Sequence, residues 1–181
     1  MSYFLTDTCP SETPYNGPMG IQYSVVDDLA TEPVTLEFFK SHNIIDYVFD
    51  DTILGVYLKA AREYLEEYCQ KSFGAKTINV KALYLPDNYR LMYGKIEGVV
   101  GETDYELLGD ILKTGGEDID FNYTTIGVLN DVIKIAICRY AAGLYALREN
   151  ILSDDKGNPI SGQGIVDQAK LMCQPYRNIV I

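Results

Sequence analysis

The stretch that most constrains the fold is DDTILGVYLKAAREYLEEYCQKSFG, residues 50–74. Leu54, Leu58, Ala61, Leu65 and Tyr68 recur at steps of four, three, four and three, the repeat of one face of an α-helix. The opposite face carries Lys59, Arg62, Glu63, Glu66 and Glu67, so Lys59 with Glu63 and Arg62 with Glu66 stand at helical ion-pair spacing on what reads as a wet side. Asp50 or Asp51 is placed to cap the helix and Gly74 to stop it. A helix with one apolar face needs partners, and the rest of the chain has to supply them.

Three further helices are legible. VTLEFFKSHNII offers Thr35 as a cap, Val34 at the position of a hydrophobic staple, and Phe38 and Phe39 as an apolar face, in a short helix ending near Asn43. GVLNDVIKIAICRYAAGLYALREN is apolar on nearly every face, with small residues at Ala141, Ala142, Gly143 and Ala146, the pattern of a central helix approached closely by others. After the polar loop SDDKGNPISGQG, a last helix runs from about Ile165 to Cys173, and Pro175 ends it.

Between the helices, TINVKALYLP, YRLMYGKIEGVVG, YELLGDILKT and IDFNYTTIG are short runs rich in Val, Ile, Tyr and Thr, broken by Gly, Pro, Asp and Asn. That is the texture of strands and turns. Pro10, Pro14, Pro18 and Pro33 fall in residues 1–33, which read as an extended arm. The expected fold is therefore mainly α within the α+β class: a small bundle of about four helices with an inserted small β-sheet or hairpin region, an extended N-terminal arm and a C-terminal tail. The expected organisation is an arm over 1–33, two bundle helices over 34–76, a β-rich insertion over 77–126, the central and C-terminal helices over 127–177, and a tail over 178–181.

At 181 residues, with 47% hydrophobic and 23% charged residues, the chain can bury one sizeable core. Its formal net charge of -11 argues against wrapping nucleic acid or resting on an anionic membrane. Cys9, Cys69, Cys138 and Cys173 lie far apart without the spacing of a zinc cluster or disulfide framework. The opening MSYFLTDTCP has neither a basic nor an apolar leader segment, so no secretory signal is expected. Asn130, Asp131, Lys134 and Arg139 interrupt the most apolar window, so no membrane partner is expected either.

Motifs for chemistry are broken or missing. His42 is the one histidine, in a context that reads as a helix end. Asp118, Asp120 and Asn122 have the spacing that opens a calcium loop, but Tyr123 replaces the turn glycine and Leu129 the bidentate Glu, leaving a solvated turn as the reading. GQGIVD lacks the preceding strand of a dinucleotide site. Runs such as Asp27-Asp28 and Asp154-Asp155 read as caps, turns and wet faces. The expectation is no catalytic residue, no metal site and no cofactor. The 15 tyrosines suit core and half-buried surface, with an interface role as the alternative.

The order of these pieces resembles the tailed-phage head-tail connector family, also called head-completion or adaptor proteins. The resemblance rests on VTLEFFKSHNII, the long AAREYLEEYCQKSF helix, an apolar helix ending in Tyr145, Arg148 and Glu149, and a last helix running into Pro175, Tyr176 and Arg177. The long arm and the large 77–125 interval depart from compact members. The resemblance implies a non-enzymatic structural protein forming a homo-oligomeric ring of about twelve subunits. That ring would dock below the portal protein, carry a downstream neck or tail protein, and extend a channel through which DNA passes without specific binding. It would sit in the virion at the head-tail interface after assembly in the host bacterial cytoplasm. Ile179, Val180 and Ile181 are then expected to dock on the portal or on a neighbouring subunit, with Pro175, Tyr176 and Arg177 fixing the exit from the helix. Tyr145, Arg148, Glu149, Arg62 and Glu66 are the candidates for contacts between subunits. Two alternatives stay open: another neck or tail completion protein, such as a stopper or tail adaptor, and a small soluble enzyme with a carboxylate site.

Overall fold

The computed structural model describes residues 20–101, 105–113, 115–147 and 162–177. Four helices and two antiparallel sheets make an α+β fold with one core in the helices and a second in the larger sheet.

Helix α1, Leu36–Asn43, begins where expected: Thr35 Oγ1 accepts from the Phe38 amide at 3.2 Å, and Val34 is buried in the same core as Phe39. Helix α2, Asp51–Cys69, buries Leu54, Leu58, Ala61, Leu65 and Cys69. Helix α3, Asp131–Leu147, opens with Asn130 Oδ1 accepting from the Ile133 amide at 2.9 Å and buries Ile133, Ala136, Ile137 and Ala141. Helix α4, Gly162–Cys173, starts a little earlier than the sequence suggests and places Val166, Ala169 and Cys173 in the core. A 3-10 turn, Gln174–Tyr176, follows with Pro175 inside it.

The sheet strands are β1, Gln22–Asp27; β2, Lys76–Leu85; β3, Tyr89–Arg90; β4, Ile96–Val100; β5, Leu107–Leu108; β6, Ile111–Leu112; and β7, Gly116–Thr125. The larger sheet has the order β1-β2-β7-β4, and a small one has β3-β6-β5, every pairing antiparallel. Ile78, Val80 and Ala82 alternate with exposed or half-buried residues on β2, and Ile119, Phe121 and Tyr123 do so on β7, so one face of the sheet carries its core.

Three expectations are corrected. Residues 22–27 are not an extended arm but the edge strand β1; Pro18 and Pro33 flank this stretch, whose amides remain free to pair with β2. Gly74 does not stop α2: Gln70 ends it in the left-handed region at φ 53°, its amide bonded to the Glu66 and Glu67 carbonyls. Gly74 instead sits where the chain packs closely: a Cβ on it would stand 2.2 Å from Leu29 Cδ2, and one on Gly127 (φ +85°) 2.5 Å from the Gly74 Cα. Finally, Asp118, Asp120 and Asn122 lie in β7, not in a solvated turn, since their alternation with Ile119, Phe121 and Tyr123 is the period of a half-buried strand.

Candidate functional site

Three clusters have the makings of attachment or assembly sites. The first is the Pro-Tyr-Arg turn. Tyr176 packs against the helical core, and Arg177 lies back along α2: its Nε donates to the Tyr68 carbonyl at 3.1 Å and its guanidinium stands 4.7 Å from the Tyr68 ring centroid. Nearby, the Cys69 thiol donates to the Cys173 carbonyl at 3.7 Å. The turn is thus pinned to the C-terminal end of α2. Ile179, Val180 and Ile181 lie outside the described residues.

The second cluster is at the opposite end of α2. Tyr145 Oη donates to Asp50 Oδ2 at 2.5 Å and sits 2.7 Å from Tyr47 Oη. The bond to Asp50, then the one to Tyr47, hold the Tyr145 proton and raise its pKa above the ordinary tyrosine value. Asp50, one of the two caps the sequence offers, does stand at the N-cap of α2, but its side chain makes no capping bond and accepts from Tyr145. Lys40 Nζ donates to the Tyr47 carbonyl at 2.5 Å and to Asp51 at 2.7 Å, bracing the loop between α1 and α2. On that braced loop Ile44, Val48 and Phe49 are 85%, 72% and 79% exposed, an apolar knuckle that periodicity does not reveal because it lies between helices. Arg148 and Glu149 lie outside the described residues.

The third cluster corrects the reading of Arg62 and Glu66. Both face inward, with Arg62 at 0% exposure and Glu66 at 1%, so they lie inside the chain and not on a wet face. Their helical ion pair does form, at 2.8 Å, but as part of a network. Arg62 also donates to Asp28 at 2.8 Å and Glu32 at 2.8 Å, while Lys76 reaches Glu66 at 2.6 Å and Asp28 at 3.1 Å. The second Glu66 oxygen accepts from the Phe73 amide at 2.7 Å. Burial alone would lower the Arg62 pKa, but the bond to Glu32, the Glu66 charge and the bond to Asp28 win and raise it. Burial would raise the Asp28 pKa; the bond from Arg62, the Leu29 amide and Lys76 overcome that and hold it well below the usual carboxylate range.

This network ties the segment after β1, the middle of α2 and the start of β2 into one seam between bundle and sheet. The signal available in sequence was small: Arg62 follows Leu58 by four and precedes Leu65 by three, so it borders the apolar stripe instead of opposing it. Asp28, Glu32 and Lys76 carry no local signal at all. Among the described residues no helix is long and apolar enough to cross a membrane.

The sequence profile of the family described as "Phage gp6-like head-tail connector protein" matches residues 33–177. No curated protein matches the chain by sequence. Among solved structures, the chain is similar to one from the virion of a native gene transfer agent (GTA) particle, at 14% identity and a TM-score of 0.60, covering 88% of this chain and 96% of that one. It is similar to a chain from the neck of an empty GTA particle computed with C6 symmetry, at 15% identity and a TM-score of 0.59, covering 88% and 97%. A chain from the neck of a native GTA particle computed with C12 symmetry matches at 15% identity and a TM-score of 0.54, covering 87% and 97%. At these identities the likeness is one of fold.

Proposed function

The chain belongs to the phage gp6-like head-tail connector protein family, structural neck proteins that join head to tail, and from that premise we propose that it works as a ring of about twelve copies seated below the portal. The C6 and C12 symmetry of the necks holding the similar chains supports a ring. The observation that carries the docking assignment is the clamp of Arg177 on Tyr68, which gives the residues after it a fixed point of departure from the end of α2. Ile179, Val180 and Ile181 then dock on the portal or on a neighbouring subunit as an added strand, with Pro175, Tyr176 and Arg177 fixing the exit. Tyr145 with Arg148 and Glu149 belongs to the contacts between subunits. A downstream neck or tail protein takes the other side of the ring, DNA passes through the lumen without specific binding, and the net charge of -11 favours passage over adhesion. The role is structural, with no catalytic step, and assembly takes place in the host bacterial cytoplasm.

The test is the copy number in purified particles, measured by quantitative mass spectrometry against the major capsid protein. About twelve copies per particle supports the ring, and absence from particles overturns it. Truncation after Arg177 then separates docking from packing. Loss of portal attachment with unchanged thermal stability supports docking, whereas retained attachment with a less stable monomer assigns the tail to its own bundle.

A further inference from the structure

The two edges of the larger sheet are unlike each other, and among the described residues neither is paired with a further strand. β1 lies along one edge with every residue except Tyr23 exposed, Val25 and Val26 at 48% and 52%. β4 lies along the other, with Val100 at its exposed end. Among the described residues, β1 pairs with β2 alone and β4 with β7 alone. The sheet has four strands, all antiparallel, so its two edge strands run in opposite directions. A second copy set beside the first therefore continues the antiparallel alternation when its β4 meets the first copy's β1. An odd number of strands would have put parallel neighbours at that joint.

We propose that neighbouring copies join their sheets edge to edge, β1 of one against β4 of the next, so that the ring is stitched by an intersubunit antiparallel ladder. The proposal rests on the ring reading above. Side-chain faces agree with it. Tyr23 pairs with Val80, which pairs with Phe121 on the core face, and Val99 pairs with Tyr123 on that same face. Placing Tyr23 opposite the next copy's Val99 keeps core face with core face, and sets Ser24 against Gly98 and Gln22 against Val100 on the outer face. Asp27 closes β1 and Lys95 immediately precedes β4, so antiparallel alignment brings opposite charges to the same end of the joint.

Such a contact is heterologous, using two different edges, and that is the kind a ring requires; β1 against β1 would be two-fold and stop at a dimer. The bulge between Val25 and Asp27 and the one between Ile96 and Gly98 confine straight pairing to a few residues at each edge. A joint so short holds only together with the other contacts of the ring, which keeps free copies from aggregating through these edges.

The test uses the full chain in purified particles. Ser24 is exposed and a Cβ on Gly98 would meet nothing within 4 Å, so Ser24→Cys with Gly98→Cys places thiols opposite each other at bridging distance. The expected result is a ladder of covalent multimers from the double variant and none from either single variant. Dimers from Ser24→Cys alone overturn the proposal in favour of two-fold pairing. A full complement of copies without a ladder overturns the edge joint and leaves the ring standing, whereas a single copy per particle removes the ring and the joint together. Independently of the cysteines, Asp27→Lys is expected to cause a several-fold loss of copies per particle, restored when Lys95→Asp is added. Failure of that rescue, with both variants folded, counts against the joint.

Discussion

In the helical bundle, buried positions follow one another three or four residues apart, as Leu54, Leu58, Ala61 and Leu65 do on α2, whereas a buried position in the sheet depends on distant partners such as Ile78 and Tyr123. The chemistry differs as well. The bundle core is largely aliphatic, with small residues and cysteines between its few aromatics, while the sheet core places Tyr123 at its centre and satisfies the hydroxyl by donation to the Met92 carbonyl at 2.8 Å. The two cores meet at an ionic seam. The contrast teaches that each half can be cohesive without the other, and that communication between them runs through Arg62, Glu66 and Lys76 more than through shared apolar surface.

The sharpest way to break that picture is Arg62→Ala. It leaves Glu66 buried with Lys76 as its one cationic partner among the described residues, frees Glu32 from α2, and leaves Asp28 tied to that helix only by the exposed Lys59 at 3.8 Å. The expected cost is about 3–5 kcal/mol, the range for removing one member of a buried ion network. Urea unfolding should then separate into a helix-reported transition for the bundle and a second transition for the sheet, followed by hydrogen exchange of the β2 and β7 amides. A single coincident transition with little loss of stability would show that apolar contacts, not the seam, unite the halves.

Next in size are substitutions within each half. Leu65→Ala is expected to cost about 2–5 kcal/mol through lost burial and the cavity left behind. Tyr123→Phe keeps the ring but removes the donor to the half-buried Met92 carbonyl, with an expected cost of about 0.5–1.5 kcal/mol. Chemical denaturation of both variants checks the ordering. If Tyr123→Phe is neutral, the sheet core behaves like the bundle and the contrast in chemistry has no energetic content.

These same contrasts explain what could be read beforehand. The helices were legible because their signal is local: Thr35 caps α1, and the apolar stripe of α2 and the small residues of α3 fall where the structure uses them. The strand segments β2 and β7 were legible from alternation, but their pairing was not, because nothing near Lys76 says that Thr125 lies opposite. β1 was hidden by the prolines on both sides of it. Arg62 and Glu66 were placed on the wet face because ion-pair spacing on a helix is the same for exposed and buried pairs; only Asp28, Glu32 and Lys76, brought in by the fold, decide which it is. Of the attachment residues, Arg177 was singled out by sequence, while its platform, Tyr68, was assigned to the core face.

A smaller effect comes from acid. The folded pKa of Asp28 is depressed below its ordinary 3.8, so its contribution to stability is complete above that value and is lost as pH falls toward the folded value. The side chain remains partly open to solvent, and Lys59 at 3.8 Å adds a screened cation beside Arg62 and Lys76. Asp28→Asn should therefore lower stability at neutral pH and flatten its decline below pH ~4. Thermal melts across that range check it. Parallel declines in the two proteins would place the acid sensitivity elsewhere than the seam.

The smallest expected effect on folding belongs to Arg177, at the end of the bundle. Arg177 is exposed, so losing its contact with the Tyr68 ring and its bond to the Tyr68 carbonyl should cost only about 0.5–1 kcal/mol. If its work is to aim the following residues at a partner, Arg177→Ala should reduce attachment to portal-bearing heads far more than it reduces stability, because a tail without a fixed exit must be ordered at the moment of docking. Arg177→Lys keeps a cation for the ring but has no guanidinium Nε to donate to Tyr68, so it should fall between the two. Attachment that tracks stability across all three proteins would make the turn a structural stop for α4 and leave the tail without a directed role.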